Sequence, residues 1–231
     1  MKRLASLVLA AALAASPASA QVLLNDHFNG ENGGLTYLGY AGFANWAVVG
    51  NVDLVKSGDF GITCPSGACV DLDGTTGPGH MFSLQNFGFA SGDIMRISFD
   101  VSGNQRGGGA DVFSMGLNFA GNTQLGAYAG TGGFSSVFGS SLFSSSYTVS
   151  TGIADNTPFS TWSFQFQAID PGAFQLVFGT TSADNVGPLL DNVSVERFSR
   201  QTVTPEPSTW AMLAFGLGSV GFVSRRRVRK A

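Results

Sequence analysis

The segment DIMRISFDVS, residues 93–102, alternates: Met95, Ile97, Phe99 and Val101 fall on one side of an extended chain, Arg96, Ser98 and Asp100 on the other. A period of two is the signature of a strand with one face buried, whereas a helix would repeat its apolar residues at three and four. The device recurs in ADVFSMGLNF (110–119) with Phe113, Met115, Leu117 and Phe119, in TWSFQFQ (161–167) with Trp162, Phe164 and Phe166, and in AFQLVFG (173–179) with Phe174, Leu176 and Phe178. Glycine and Asx residues punctuate at short intervals, and no amphipathic helical pattern intervenes. Strands with one apolar face must cover it with another such face. The expectation is all-β: a two-sheet antiparallel β-sandwich of the jelly-roll kind over residues 21–203. No period of 20 to 50 residues appears, which excludes solenoids and propellers.

The two ends differ from this body. MKRLASLVLAAALAASPASA, residues 1–20, has Lys2 and Arg3, an apolar stretch from Leu4 to Ala15, and Ala18-Ser19-Ala20. That layout describes a secretory signal helix, read by a Sec translocon and cut by signal peptidase between Ala20 and Gln21. At the other end, Pro205-Glu206-Pro207 precedes fourteen uncharged residues, Trp210 to Val223, and then Arg225, Arg226, Arg227, Arg229 and Lys230. As a helix the apolar run is roughly 21 Å long, short of a hydrocarbon core of about 30 Å. Local thinning and snorkelling arginines make up the difference. The expected layout is a single transmembrane helix over 208–224 with its basic end, 225–230, held in the cytoplasm.

Pro205-Glu206-Pro207-Ser208-Thr209-Trp210, the apolar run and the arginine cluster resemble the PEP-CTERM sorting signal of Gram-negative bacteria, a region also labelled an ice-binding protein C-terminal domain. The resemblance covers Thr204 to Lys230 of the tail, 204–231. It implies that an exosortase, a membrane cysteine protease, recognises Pro205, Glu206 and Pro207 and cuts nearby. The protein is then anchored transiently in the inner membrane before release to the surface or the exopolysaccharide matrix. A permanent single-span anchor is the alternative. The body has a likeness of its own. NDHFNGENGG, ANWAVVGNVDLV, ACVDLDGTTG, ISFDVSGNQRG and NVGPLLDNVSV occur in this order and look like the galactose-binding and carbohydrate-binding-module jelly rolls found in that group.

Charge narrows the partners. Residues 21–203 carry five basic and fourteen acidic side chains, a net of minus nine; seven of the twelve positive charges sit in the two ends. Such a body is unsuited to nucleic acid and compatible with neutral polysaccharide or with cations. Cys64 and Cys69 in TCPSGAC fit a small-loop disulfide in an oxidising compartment. Zinc would need two more soft ligands, and the chain offers only His27 and His80.

LTYLGYAGFANW (35–46) gathers aromatics, and Tyr37, Tyr40 and Trp46 are candidate sugar-stacking rings, with core packing as the other reading. Asp71 and Asp73 share a strand face in VDLDG, and the plain expectation for them, as for Asp100 and Asp111, is a solvated acidic strand. A calcium site drawn from Asp26, Glu31, Asp71, Asp73 or Asp191 is the sharper expectation. For Asp191, on an apolar face with Leu189, Val193 and Val195, acceptance of backbone N–H bonds competes with the metal. The stretch 126–146, with glycine and serine at twelve of twenty-one positions, reads either as a mobile loop over a binding face or as edge strands whose Phe134, Phe138 and Phe143 complete the core. No Gly-x-Ser-x-Gly elbow occurs, and GGGAD (107–111) lacks the strand–loop–helix setting of a phosphate cradle. A non-catalytic binding module for exopolysaccharide is therefore expected, with no cofactor; a structural matrix protein is the alternative, and a glycoside hydrolase a remoter one.

Overall fold

The computed structural model describes residues 20–199. The signal helix, Ala18, the tripeptide Pro205-Glu206-Pro207, the expected membrane span and the basic end lie outside those residues. Among the described residues no helix is long and apolar enough to cross a membrane. The described residues run through thirteen strands: β1 (Ala20–Asp26), β2 (Trp46–Gly50), β3 (Asp53–Lys56), β4 (Ala68–Asp71), β5 (Asp73–Gly74), β6 (Gly77–Phe89), β7 (Ile94–Ser102), β8 (Asp111–Thr131), β9 (Phe138–Gly139), β10 (Leu142–Ile153), β11 (Ser160–Ala168), β12 (Gly172–Thr180) and β13 (Leu189–Phe198). Short 3-10 turns at Glu31–Gly34, Asp59–Gly61 and Gly132–Phe134 are the helical content of the described residues. Ala20 and Gln21 open β1, opposite Phe198 and Arg197 of β13.

The paired strands are antiparallel, and they follow one hydrogen-bonded path: β2-β6-β12-β8-β11-β7-β13-β4-β3, with β1 on β13, β9 and β10 on β8, and β5 on β6. The expectation of two separate sheets is thus corrected to one continuous sheet that curls over itself. The reason lies in β8. Phe113 to Phe119 pair with β12, whereas Leu125 to Thr131 pair with β11. Between these halves Ala120, Gly121 and Asn122 are exposed in succession, so the inside–outside alternation breaks and the strand passes from one layer to the next.

Aromatic contacts show the two halves facing each other. Phe99 of β7 lies 4.9 Å from Phe178 of β12 and 5.4 Å from Phe113 of β8, between ring centroids. Phe166 of β11 lies 5.7 Å from Phe174 of β12 and 5.5 Å from Phe89 of β6. None of these strand pairs shares a ladder, so the rings meet across the gap between layers. The alternating residues of the four segments that indicated strands are all buried. Each such side chain contributes about 1.5–3 kcal/mol by leaving water.

Neither reading of 126–146 holds throughout. Phe134 is buried, but Phe138 and Phe143 are 75% and 64% exposed. The glycines have a packing cause: a Cβ at Gly132 or Gly133 would run into the buried Trp162 indole, so this turn closes over that ring only without side chains.

Candidate functional site

β1 ends at Asp26, and the chain to Asn45 forms no strand; buried carboxylates hold it in place. Asp26 Oδ1 accepts the Phe28 N–H at 2.9 Å, while Oδ2 accepts Trp46 Nε1–H at 2.9 Å and Asn45 Nδ2–H at 3.0 Å. The first contact turns the chain so that Phe28, at φ 56°, drops its ring into the core, 5.9 Å from Phe43 and 6.4 Å from Trp46. Glu31 Oε1 accepts the Ala44 N–H at 2.9 Å, and its Oε2 lies 3.3 Å from the Tyr40 hydroxyl. A cleft of about 420 Å³ remains along residues 26–31 and Ala44.

Asp191 stands near this segment, through Ser66. It is fully buried, with Oδ2 accepting the Ser66 hydroxyl at 2.8 Å and Oδ1 the Asn192 N–H at 2.7 Å. Ser66 also reaches the His27 carbonyl. Asn192, at φ 51°, bulges out of the β13–β7 register and spans His27 Nδ1 and Asp100 Oδ2. Burial pushes the Asp191 carboxyl up to about 6, against the Ser66 and Asn192 hydrogen bonds that lower it. From the ordinary 3.8 to that value the folded chain keeps a proton that the unfolded chain has lost. Stability is therefore expected to fall as pH rises through this window, by about 3 kcal/mol in all and about 2 kcal/mol of it above pH 4.5. Urea unfolding at pH 4.5 and 7, compared with Asp191→Asn, measures it: the wild type loses stability relative to a variant that cannot ionise there.

The three candidate sugar-stacking rings separate. Tyr37 is 53% exposed and Tyr40 half-buried, with ring centroids 5.7 Å apart; Tyr40 packs at 4.6 Å on Phe43. Trp46 is 1% exposed, so the reading of it as an exposed ring is corrected: its indole N–H is tied to Asp26 and its rings pack on Phe178. A ring the sequence had not suggested stands out instead. Phe60 is 55% exposed at φ 54°, in a turn joined to Tyr37's own segment by a Thr36 hydroxyl to Asp59 carboxylate hydrogen bond. The signal was present in Gly58-Asp59-Phe60-Gly61, glycines on both sides of a lone aromatic.

Asp71 and Asp73 are not a solvated strand face. Both are fully buried, because the loops 104–109 and 182–188 close over them. Asp71 Oδ1 accepts Gly187 N–H at 2.8 Å and Asp73 N–H at 3.1 Å; its Oδ2 pairs with the Arg106 guanidinium. Burial raises the Asp71 carboxyl to about 7, against the pull of Arg106. Asp73 Oδ2 accepts the N–H groups of Asp184 and Asn185 at 2.8 and 2.9 Å. Asp111 is also buried, accepting Asn104 Nδ2–H at 2.9 Å, which corrects the solvated reading for it as well. Asp100 is half-buried beneath Thr161 and Asn192. Among the described residues no three His, Cys, Asp or Glu side chains converge as a ready ligand set for a metal. A disulfide joins Cys64 to Cys69 beside Val55, Ile62 and Leu189.

The cleft, the exposed rings and the acidic loops leave the tail as the part whose chemistry is most specific. Residues 203–227 match the PEP-CTERM protein-sorting motif. The PEP-CTERM motif implies export and processing by an exosortase-type system. No curated protein matches the chain in sequence. Similar solved structures include the CBM22-1-GH10 modules of Clostridium thermocellum endo-1,4-beta-D-xylanase 10B complexed with xylohexaose. The identity is 13%, the coverage 80% of this chain and 30% of that one, and the TM-score 0.42. The CBM22-1-CBM22-2 tandem domain of Paenibacillus barcinonensis Xyn10C gives 12% identity, 83% and 49% coverage and a TM-score of 0.45. Its CBM22-1 xylan-binding domain alone gives 11%, 80% and 99%, and 0.37. The chain thus spans less than half the length of the first two and nearly all of the third. These are distant likenesses.

Proposed function

We propose that this is a non-catalytic carbohydrate-binding protein of the cell surface or exopolysaccharide matrix, built as a signal peptide (1–20), a jelly-roll body (21–203) and a sorting tail (204–231). On this reading the tail crosses the inner membrane of a Gram-negative cell until an exosortase cuts near Pro205-Glu206-Pro207. The observation that carries the binding role is the exposed Tyr37 ring, backed by Tyr40 and Phe43 and neighboured by Phe60's turn. Aromatic faces supported from behind offer sugar rings a flat apolar platform at little entropic cost. The acidic body favours a neutral polysaccharide.

Affinity electrophoresis through gels containing neutral polysaccharides, or the producing cell's own exopolysaccharide, tests this. Tyr37→Ala, at an exposed position, is expected to fold normally and to bind roughly tenfold more weakly. A wild-type protein retarded by none of these gels would remove the binding role.

A structural matrix role is the second reading, and one observation favours it. Residues 112–154 carry no charged side chain on a body that is otherwise strongly acidic. Within them β10 bonds only to β8, which leaves a long neutral edge with Phe138 and Phe143 exposed nearby. Copies repelled elsewhere by like charge can approach along that edge. Sedimentation showing self-association without glycan retention would select this reading.

A further inference from the structure

Three loops meet over β4 and β5: Asp71 to Gly74, Gly103 to Asp111 and Ser182 to Gly187. They carry Asp71, Asp73, Asp111 and Asp184, and the one cation of these loops, Arg106, spends its guanidinium on Asp71 and the Asn185 carbonyl. Asp111 is held by the Asn104 amide and the Ser182 hydroxyl. Asp73 is the odd member. It is fully buried, its Oδ2 is bonded to two backbone N–H groups, and its Oδ1 has no hydrogen-bond partner at all. The side chain next to it is the Asp184 carboxylate, another acceptor, on an exposed loop. A buried carboxylate oxygen that lacks a donor, on a side chain beside a second carboxylate, is costly, and a proton or a metal ion is what relieves it. Burial, with Asp184 adding to it, raises the Asp73 carboxyl, and burial with Asp184 and Asp73 raises Asp111.

We propose that Asp73 Oδ1 and the Asp184 carboxylate hold a calcium ion at the solvent side of this loop cluster, with Asp111 adding negative potential behind it. The donors are oxygens only, which suits a hard cation. Asp184 is exposed, so water completes the six to eight oxygens calcium takes, and a loop that can adjust suits calcium over the stricter octahedron of magnesium. Room for the loop comes from glycine. Gly107, Gly108 and Gly109 all have positive φ, and a Cβ at Gly108 would stand 2.9 Å from Asp184 Oδ2. The site is separate from the sugar-facing rings and does not depend on the proposed binding role.

Thermal unfolding and titration calorimetry on the chelator-treated full-length protein test it with calcium chloride as probe. Calcium is expected to raise the melting temperature in proportion to the logarithm of its concentration, and magnesium to do so less. Asp184→Asn, on the exposed loop, is expected to fold, to melt no lower than wild type in chelator because a like charge is gone, and to bind calcium at least tenfold more weakly. Absence of any calcium-induced shift in the wild type would overturn the proposal and leave a shared proton between the two carboxyls. A calcium response undiminished in Asp184→Asn would overturn it equally, by moving the ion elsewhere.

Discussion

Phe99→Ala is expected to cost about 3–5 kcal/mol, enough to unfold much of the body at physiological temperature. Phe99 is one of the rings through which the two halves of the curled sheet touch. It is fully buried and meets Phe178 at 4.9 Å, Phe113 at 5.4 Å, Phe134 at 6.0 Å and Trp162 at 6.4 Å. Its neighbours are themselves large rings, three of them in strands, so they cannot collapse into the space left behind. Chemical denaturation should show the midpoint displaced with an unchanged slope, since the surface exposed on unfolding stays the same. Phe143→Ala, which removes an exposed ring, provides the contrast and should change stability by under about 0.5 kcal/mol.

The second large effect concerns charge. Above pH 7, the value to which burial raises the Asp71 carboxyl, Arg106→Leu is expected to destabilise by about 3–5 kcal/mol, because it strands the ionised Asp71 carboxylate in a fully buried place without its guanidinium. The loss should be specific to the stranded charge. Adding Asp71→Asn keeps an acceptor for the Gly187 and Asp73 N–H groups while removing the charge. The double variant should therefore recover most of the stability lost by Arg106→Leu alone. A double-mutant cycle by urea unfolding reads this directly, and equal instability of the single and double variants would show that Arg106 acts by packing.

The legible part of the fold was its alternation. Met95 to Val101, Phe113 to Phe119, Trp162 to Phe166 and Phe174 to Phe178 each announce a buried face because a strand's period of two is written in neighbouring residues. That β8 belongs to both layers was not legible, since the break at Ala120 to Asn122 uses residues any turn would use. The carboxylates misled for a related reason. In VDLDG an aspartate at every second position looks like a solvent face, and Asp71's partner, Arg106, lies 35 residues further along. Trp46 likewise looked like one of several surface rings until Asp26, twenty residues earlier, supplied its indole partner. Local pattern reports which residues alternate; which of the two faces is covered is decided by loops from elsewhere in the chain. The tail is the opposite case, because a sorting signal is read as a linear sequence and so is visible as one.

The claim that the β-rich body works outside the cell, parted from both its ends, is tested most directly by the intact mass of the protein recovered from the cell surface or medium. The expected mass is that of a chain that begins at Gln21 and ends near Pro207. Released protein that still carries the apolar run and its arginines, or that retains residues 1–20, would contradict it.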